Sequence, residues 1–172
     1  MTGLKYSLPM PDRPTAFLLH GFLGAGKTTL AKKLESEHHA VRFTHDEWMN
    51  ELFGDDPPEA LFPDYARRIF SVMQRTWTRC LDLGVNVVLD SGFWSREERD
   101  DIRATVARHG GEPVLYQLNC PDEVAWQRID ARNRASSRSL FIAPNTFRVL
   151  KARFEPLADD EPRVEVMSSS DG

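Results

Sequence analysis

The stretch that decides the fold is His20-Gly21-Phe22-Leu23-Gly24-Ala25-Gly26-Lys27-Thr28-Thr29. It follows the apolar run Ala16-Phe17-Leu18-Leu19 and precedes the amphipathic run Leu30-Ala31-Lys32-Lys33-Leu34. Gly21 to Thr28 matches the pattern GxxxxGK[ST], set as it must be between a strand and a helix. The glycines permit a turn that aims successive backbone N–H groups inward, making a concave anion site. The helix that follows adds the positive end of its dipole. On this reading Gly21, Leu23, Gly24, Ala25, Gly26, Lys27, Thr28 and Thr29 hold a nucleotide. Lys27 reaches its β- and γ-phosphates, and the Thr28 hydroxyl faces Mg2+.

The rest of the composition bounds what surrounds that loop. A chain of 172 residues, 41% hydrophobic and 28% charged, fits one globular domain with a real core. Residues 1–13 and 168–172 read as loose ends around a domain at 14–167. Cys80 and Cys120 are far apart, form no CxxC, and read as small buried side chains in a reducing compartment. The apolar runs are of strand length, which excludes a membrane span, and the N-terminus lacks the apolar centre of a signal peptide. The expected location is therefore the cytoplasm.

The net charge of −4 argues against indiscriminate nucleic-acid binding. The charge is unevenly placed, however. Between Arg128 and Arg153 seven basic residues accompany one acid, Asp130, a local net charge of +6. A basic segment in an acidic chain suggests an anionic ligand, or else a solvated helix face.

Short apolar runs alternate with helical patterns along the chain, without repeats. Strands are expected at Thr15–His20, Ala40–Thr44, Val85–Leu89, Pro113–Leu118 and Arg163–Met167. Phe17-Leu18-Leu19 and Val87-Val88-Leu89 are continuously apolar, as for strands covered on both faces, whereas Val41-Arg42-Phe43 and Val164-Glu165-Val166 alternate, as at edges. Helices are expected from Lys27 to about His38, over Asp64–Leu83 up to Gly84, from the capping box Ser95-Arg96-Glu97-Glu98, after Pro121, and over Asn145–Phe154. On the second of these, Tyr65, Ile69, Val72, Met73, Trp77, Cys80 and Leu81 share one face. Strands alternating with helices make an α/β fold, a parallel sheet with helices on both faces. Gly54–Pro58 reads as a surface loop near the substrate entrance.

Further candidates follow from where the strands end. Asp46, after the second strand, lies at the carboxyl edge that lines the crevice of an open parallel sheet. A carboxylate there can accept a proton from an attacking hydroxyl, or Asp46 or Thr44 can cap the next helix. Asp90 closes the apolar strand Val87-Val88-Leu89, where it can hold Mg2+, bond Thr28 or cap a turn. Phe93-Trp94 either pack the core or face a substrate ring. Arg128 and Arg132, four apart, share a helix face. Arg134 and Arg138 follow within Asn133–Ser139, a stretch poor in helix signals. A guanidinium fork holds two phosphoryl oxygens at once. A lid at about 133–144 that closes over ATP accounts for the basic segment, with a plain basic helix as the alternative.

The wording GFLGAGKTTL is similar to that of cobalamin-synthesis-type metal-chaperone GTPases. Those carry a cysteine metal motif after the first helix and an NKxD guanine reader. Here no cysteine lies between the loop and Cys80, and the nearest match to NKxD is Asn119-Cys120-Pro121-Asp122. The arrangement instead resembles the small P-loop kinase group that includes polynucleotide 5′-kinases, zeta-toxin-type kinases and chloramphenicol phosphotransferases, above all its bacterial AAA-type ATP-binding members. The likeness covers about Ala16 to Met167. It is carried by residues 20–35, FTHDEWMNELFG (43–54), VVLDSGFWSREERD (87–100), LNCPDEVAWQRIDARN (118–133) and FRVLKARFEPLADDE (147–161).

The resemblance implies a P-loop NTPase fold, a five-stranded parallel sheet of order 2-3-1-4-5. It implies ATP and Mg2+ as cofactors served by Lys27 and Thr28, and Asp46 as general base. Arg128 or Arg132 would lie against adenine or phosphates, with Arg134 to Arg138 in the lid. The expected activity is transfer of the γ-phosphoryl group to a hydroxyl of a small molecule, with Lys27, Asp46, Arg128, Arg132 and Arg138 catalytic. A polynucleotide 5′-hydroxyl is the alternative acceptor. An acceptor-free ATPase or GTPase switch is the alternative class, weakened because Asp90 is followed by Ser91 rather than by a water-positioning Glu or Gln.

Overall fold

The computed structural model describes residues 13–135 and 140–167. The elements in chain order are β1 (Thr15–His20), α1 (Lys27–His38), β2 (Val41–Thr44), α2 (His45–Phe53), α3 (Phe62–Asp82) and β3 (Val87–Gly92). They continue with α4 (Arg96–Arg108), β4 (Glu112–Asn119), α5 (Asp122–Arg134), α6 (Pro144–Lys151) and β5 (Val164–Met167). All four strand pairings are parallel, in the order β2-β3-β1-β4-β5. The expected order 2-3-1-4-5 is therefore the observed one, with the two alternating strands at the edges.

The inner strands explain the apolar runs. Ala16, Leu18, Leu19, Val87 and Val88 are completely buried. Each Leu or Val removed from water in this way stabilises the fold by about 1.5–3 kcal/mol. On one face of the sheet Leu18, Val87 and Leu89 meet Met49, Ile69, Met73, Trp77 and Leu81. On the other, Phe17, Leu19 and Val88 meet Ala31 and Leu34 of α1. A third cluster joins Phe22 of the loop to Ala125 and Ile129 of α5 and Phe147 of α6.

Register matters more than length for the site. Thr44 stands opposite Asp90, and His20 opposite Gly92 and Gln117. The carboxyl ends of β1, β2, β3 and β4 are thereby level along one edge, where ligands of open α/β sheets bind.

Local signals hold where the chain carries explicit punctuation. Ser95 Oγ accepts from the Glu98 N–H and Glu98 Oε2 accepts from the Ser95 N–H, completing the capping box of α4. Elsewhere packing revises the pattern. Val72 lies on the exposed flank of α3, because the buried stripe runs Ile69, Met73, Trp77, Leu81 at spacings of four. Cys80 and Cys120 are only half-buried. Asn133 and Arg134 are helical: α5 continues through them, with Asn133 bracing Ile142 through both its amide atoms and Arg134 paired to Asp130 one turn back. The stretch 133–144, expected as a lid, therefore begins inside a helix. Residues 136–139, Arg138 among them, lie outside the described residues, as do 1–12 and 168–172.

One tie was not legible from pattern. Arg99 of α4 and Glu161, 62 residues later, are both 1% exposed and form a two-point ion pair with Nε–Oε2 at 2.8 Å and Nη2–Oε1 at 2.9 Å. Arg99 also donates to the carbonyl oxygens of Phe93 and Trp94, and Arg103 adds a second guanidinium to Glu161. Hydrogen bonds from Arg99 are the main cause that holds the Glu161 pKa down at about 2. The pair anchors the chain after α6 against the turn that ends β3.

Candidate active site

The phosphate loop takes the shape its glycines predict. Gly24 and Gly26 have φ of +73° and +93°, a region that side chains rarely enter. A Cβ on Gly24 would sit 2.5 Å from the carbonyl oxygen of Ala125, so this glycine also lets α5 close on the loop. Gly26 caps α1 without any side-chain hydrogen bond, and the first turn of α1 contains no acid. Its N–H groups are thus left for an anion. Beneath the loop His20 is 1% exposed, with Nδ1 3.0 Å from the Phe93 carbonyl oxygen and its ring stacked on Phe154 at 4.8 Å. Burial is the main cause that lowers its pKa, so a neutral ring donating from Nδ1 supports the loop.

Lys27 and Thr28 project from the first turn of α1. Lys27 Nζ donates to the Phe22 carbonyl oxygen at 2.9 Å. Burial is the largest influence lowering its pKa, and Asp90 and Asp46 oppose it. Thr28 Oγ1 donates to Asp90 Oδ2 at 2.8 Å, and Thr44 Oγ1 lies 3.3 Å from the same oxygen. Burial pushes the Asp90 carboxyl above the usual aspartate value, against the pull of Lys27.

A carboxylate and a hydroxyl at this point are hard oxygen donors of the kind Mg2+ takes. A cation there would also offset the buried charge of Asp90. Thr28 and Asp90 thus fit a magnesium site in chemistry.

Asp46 occupies the first turn of α2 rather than its cap. The cap is Thr44, which makes no side-chain capping bond. The Asp46 carboxylate lies 3.5 Å from His45 Nδ1. Enclosure in the cleft works to raise its pKa, but His45, Lys27 and Arg132 more than offset this and leave it below the ordinary value. Asp46 is thereby kept ionised. His45 itself is nearly buried and stacks on Phe70 of α3 at 4.4 Å.

These groups line one cleft of about 460 Å3. The loop and α1 contribute Leu23, Gly24, Gly26, Lys27, Thr28 and Thr29, and α5 contributes Arg128 and Arg132. His45, Asp46, Phe62, Ala66, Phe70, Ser91, Trp94 and Glu98 line it as well. So do Asp90, Thr44, Leu140, Ile142 and Leu150. Arg128 Nη1 donates to the Gly24 carbonyl oxygen at 3.3 Å.

The cleft therefore brings together Lys27, Thr28, Asp46, Asp90, Arg128 and Arg132. Gly21 and Ala25 are buried in the loop behind it, Gly21 accepting from Trp94 Nε1 at 3.3 Å.

The basic segment does not act as one unit. Among its described residues only Arg128 and Arg132 line the cleft, Lys151 pairs with Asp122 and lies over the Phe22 ring, and Arg134, Arg148 and Arg153 are exposed. The Phe141 N–H donates to the Asp55 carbonyl oxygen, tying the chain before α6 to the 54–58 loop. The contribution of His45, Phe62, Phe70 and Glu98 was hidden in sequence. His45, Phe62 and Phe70 carry no motif, Glu98 is legible only as the capping-box partner of Ser95, and the four come together only when α2, α3 and α4 pack.

Comparison with known proteins agrees with this architecture. The chain is similar to a candidate kinase from Chloroflexus aurantiacus j-10-fl, with 16% identity and a TM-score of 0.73 over 92% of this chain and 90% of the other. It is similar to a chain of the Pnkp1/Rnl/Hen1 RNA repair complex, with 23% identity and a TM-score of 0.69 over 84% of this chain but 45% of the other. The APS kinase CysC of Mycobacterium tuberculosis, solved with AMPPNP and APS, matches at 17% identity and a TM-score of 0.62, over 94% and 92%. No curated protein matches at a significant level. Among the described residues no helix is long and apolar enough to cross a membrane. The family profile of the AAA domain matches residues 17–157, most of the chain, and the protein belongs to that family.

Proposed function

We propose that the protein is an ATP-dependent phosphotransferase that moves the γ-phosphoryl group to a hydroxyl of a small molecule. One observation carries this reading: Asp46, its pKa held below the ordinary value by His45, Lys27 and Arg132, lines the same cleft as Lys27 and Thr28. A water-positioning Glu or Gln after Asp90 is what an acceptor-free ATPase needs, and Ser91 stands there instead. The α1 N-terminus, Lys27 and Thr28 hold the triphosphate, with Mg2+ at Thr28 and Asp90 neutralising its charge. Asp46 orients the acceptor hydroxyl and accepts its proton. Arg128 and Arg132 stabilise charge on the transferring group, or lie against the adenine. The protein then supplies positioning and electrostatics rather than covalent chemistry.

A second acceptor, a polynucleotide 5′-hydroxyl, is favoured by the likeness to a chain of an RNA repair complex. Dispersal of the basic segment weighs against it, because few cations remain to hold a phosphate backbone.

The test is γ-labelled ATP and Mg2+ with panels of small hydroxyl compounds and 5′-hydroxyl oligonucleotides. Transfer that requires both Lys27 and Asp46 is expected. Release of label to water alone, or tighter binding of GTP than of ATP, would overturn the kinase reading in favour of a switch or metal-chaperone GTPase.

A further inference from the structure

The first two residues of α2 meet through their side chains: His45 Nδ1 lies 3.5 Å from Asp46 Oδ1. Hydrogen bonds of this kind are often long before substrate arrives and tighten with it. The other ring nitrogen of His45, Nε2, is buried and has no hydrogen-bond partner. His45 is 7% exposed and lines the active cleft together with Asp46. A buried polar atom without a partner costs free energy, so an apolar ring would suit this place better unless Nδ1 has a task.

Two contacts hold the ring and its backbone. The ring stacks on Phe70 of α3, with centroids 4.4 Å apart and planes at 24°. Phe70 is 44% exposed and lies off the buried stripe Ile69, Met73, Trp77, Leu81, so the stack rather than the core accounts for an aromatic there. Arg42 donates to Thr44 Oγ1 and to Glu47 Oε2, and one guanidinium thereby ties the residues on either side of the pair. The tautomer follows from the partners. Nδ1 has a carboxylate beside it and Nε2 has nothing, so the neutral ring carries its proton on Nδ1 and donates it to Asp46.

Resting on the kinase reading, we infer that His45 is a positioning residue for phosphoryl transfer: its Nδ1–H, steadied by Phe70, fixes the Asp46 carboxylate so that Oδ2 receives the acceptor hydroxyl. Occupying Oδ1 removes rotation of the carboxylate before the acceptor arrives. In the transfer, the acceptor oxygen bonds to the γ-phosphorus as the bond to the β–γ bridging oxygen breaks, and ADP takes the electron pair of the broken bond. The hydroxyl proton passes to Asp46 Oδ2 and then to solvent, while His45 keeps its own. The same hydrogen bond favours the ionised base. Enclosure in the cleft is the largest influence on the Asp46 pKa and raises it, and the bond from His45 leads those that bring it down, ahead of the charges of Lys27 and Arg132. Asp90 is the like charge that faces it.

NMR on the full, nucleotide-free chain tests the pair. Long-range proton–nitrogen spectra should show the neutral His45 ring protonated at Nδ1. Titration of the Asp46 carboxyl carbon should give a midpoint below that of an ordinary aspartate. His45→Phe keeps a ring to stack on Phe70 and removes the donor, so the midpoint should rise while the melting temperature holds. His45→Asn places an amide N–H near the position of Nδ1 and should bring the midpoint back toward the wild-type value. A ring protonated at Nε2, a midpoint that His45→Phe leaves in place, or one that His45→Asn fails to restore overturns the inference.

Kinetics separate this from failure of the kinase reading. With the hydroxyl compound that takes label in the acceptor panel, His45→Phe should lower kcat about 10- to 100-fold with KM little changed. The acid limb of the rate profile should move up in pH, because the base must be ionised. Added to Asp46→Asn, the same change should cost nothing further, since it acts through that carboxylate. Transfer that needs Asp46 but not His45 keeps the kinase and rejects the positioning role. The expected NMR signature with label released only to water keeps the pair and rejects the kinase.

Discussion

Thr28 Oγ1 donates a 2.8 Å hydrogen bond to Asp90 Oδ2, joining the first turn of α1 to the end of β3 across 62 residues of chain. Burial raises the Asp90 pKa by more than the charge of Lys27 and the hydrogen bond from Thr28 lower it. Replacing Asp90 by Asn removes that charge and keeps the shape. Nucleotide affinity in Mg2+ should then fall about tenfold or more, while affinity in EDTA stays unchanged. Titration of a fluorescent ATP analogue under both conditions reads the difference. An equal loss in both would show that Asp90 serves only to brace Thr28.

Asp46→Asn should leave ATP binding intact and lower the rate of phosphoryl transfer by about 10²–10⁴, the usual contribution of a positioned base. Single-turnover transfer to whichever hydroxyl compound the acceptor panel identifies measures it. The carboxylate is on the surface of the cleft rather than in the core, so thermal stability should not change.

Lys27→Ala should reduce turnover by about 10²–10³ through loss of charge stabilisation at the phosphates, with the circular dichroism spectrum preserved. Unchanged turnover in this variant is incompatible with a nucleotide role for the loop.

Gly24→Ala tests whether the loop and α5 share one packing constraint. A Cβ there would meet Ala125 at 2.5 Å on a backbone with φ of +73°. The strain should cost about 1–3 kcal/mol and loosen the loop. Both the melting temperature and the affinity for ATP should therefore fall, whereas a change confined to one would separate the two roles.

Arg99 and Glu161 give the pH prediction. Glu161 has its pKa lowered from 4.5 to about 2 in the folded chain. A depressed carboxyl pKa contributes stability that is full above the unfolded value and is lost as pH falls through the folded one. Denaturant midpoints should therefore hold down to about pH 4.5 and drop between there and pH 2. Glu161→Gln leaves the buried Arg99 uncompensated, costs about 3–5 kcal/mol, and should flatten that drop. An unaltered acid profile in the variant would assign the transition to other carboxylates.

Legibility followed the range of each signal. The start of α1 at Lys27 was readable to the residue because the loop motif sets where its helix begins. The capping box at Ser95 was equally plain, since both partners lie within one turn. Asp46 and Asp90 could be placed because each lies at the carboxyl end of a strand, Asp46 just beyond β2 and Asp90 in the last residues of β3, and that end of a parallel sheet faces the crevice. Asn133 and Arg134 lie in α5 although the stretch from Asn133 reads as poor in helix signals, because the Asn133 amide is tied to Ile142 and Arg134 pairs with Asp130 one turn back. The basic segment read as one unit because net charge along a chain carries no direction, and only the packing of α5 and α6 sends Arg128 and Lys151 to different partners.

By itself the sequence determined the phosphate loop, the alternation of strands and helices, and the side chains that end at the carboxyl edge. These depend on backbone conformation and periodicity within a few residues. Tertiary structure alone decided that Thr28 meets Asp90, that Arg99 is neutralised by Glu161, and that His45 rests on Phe70. Each joins elements remote in sequence, and such contacts form only once burial of the apolar strands has brought the elements together.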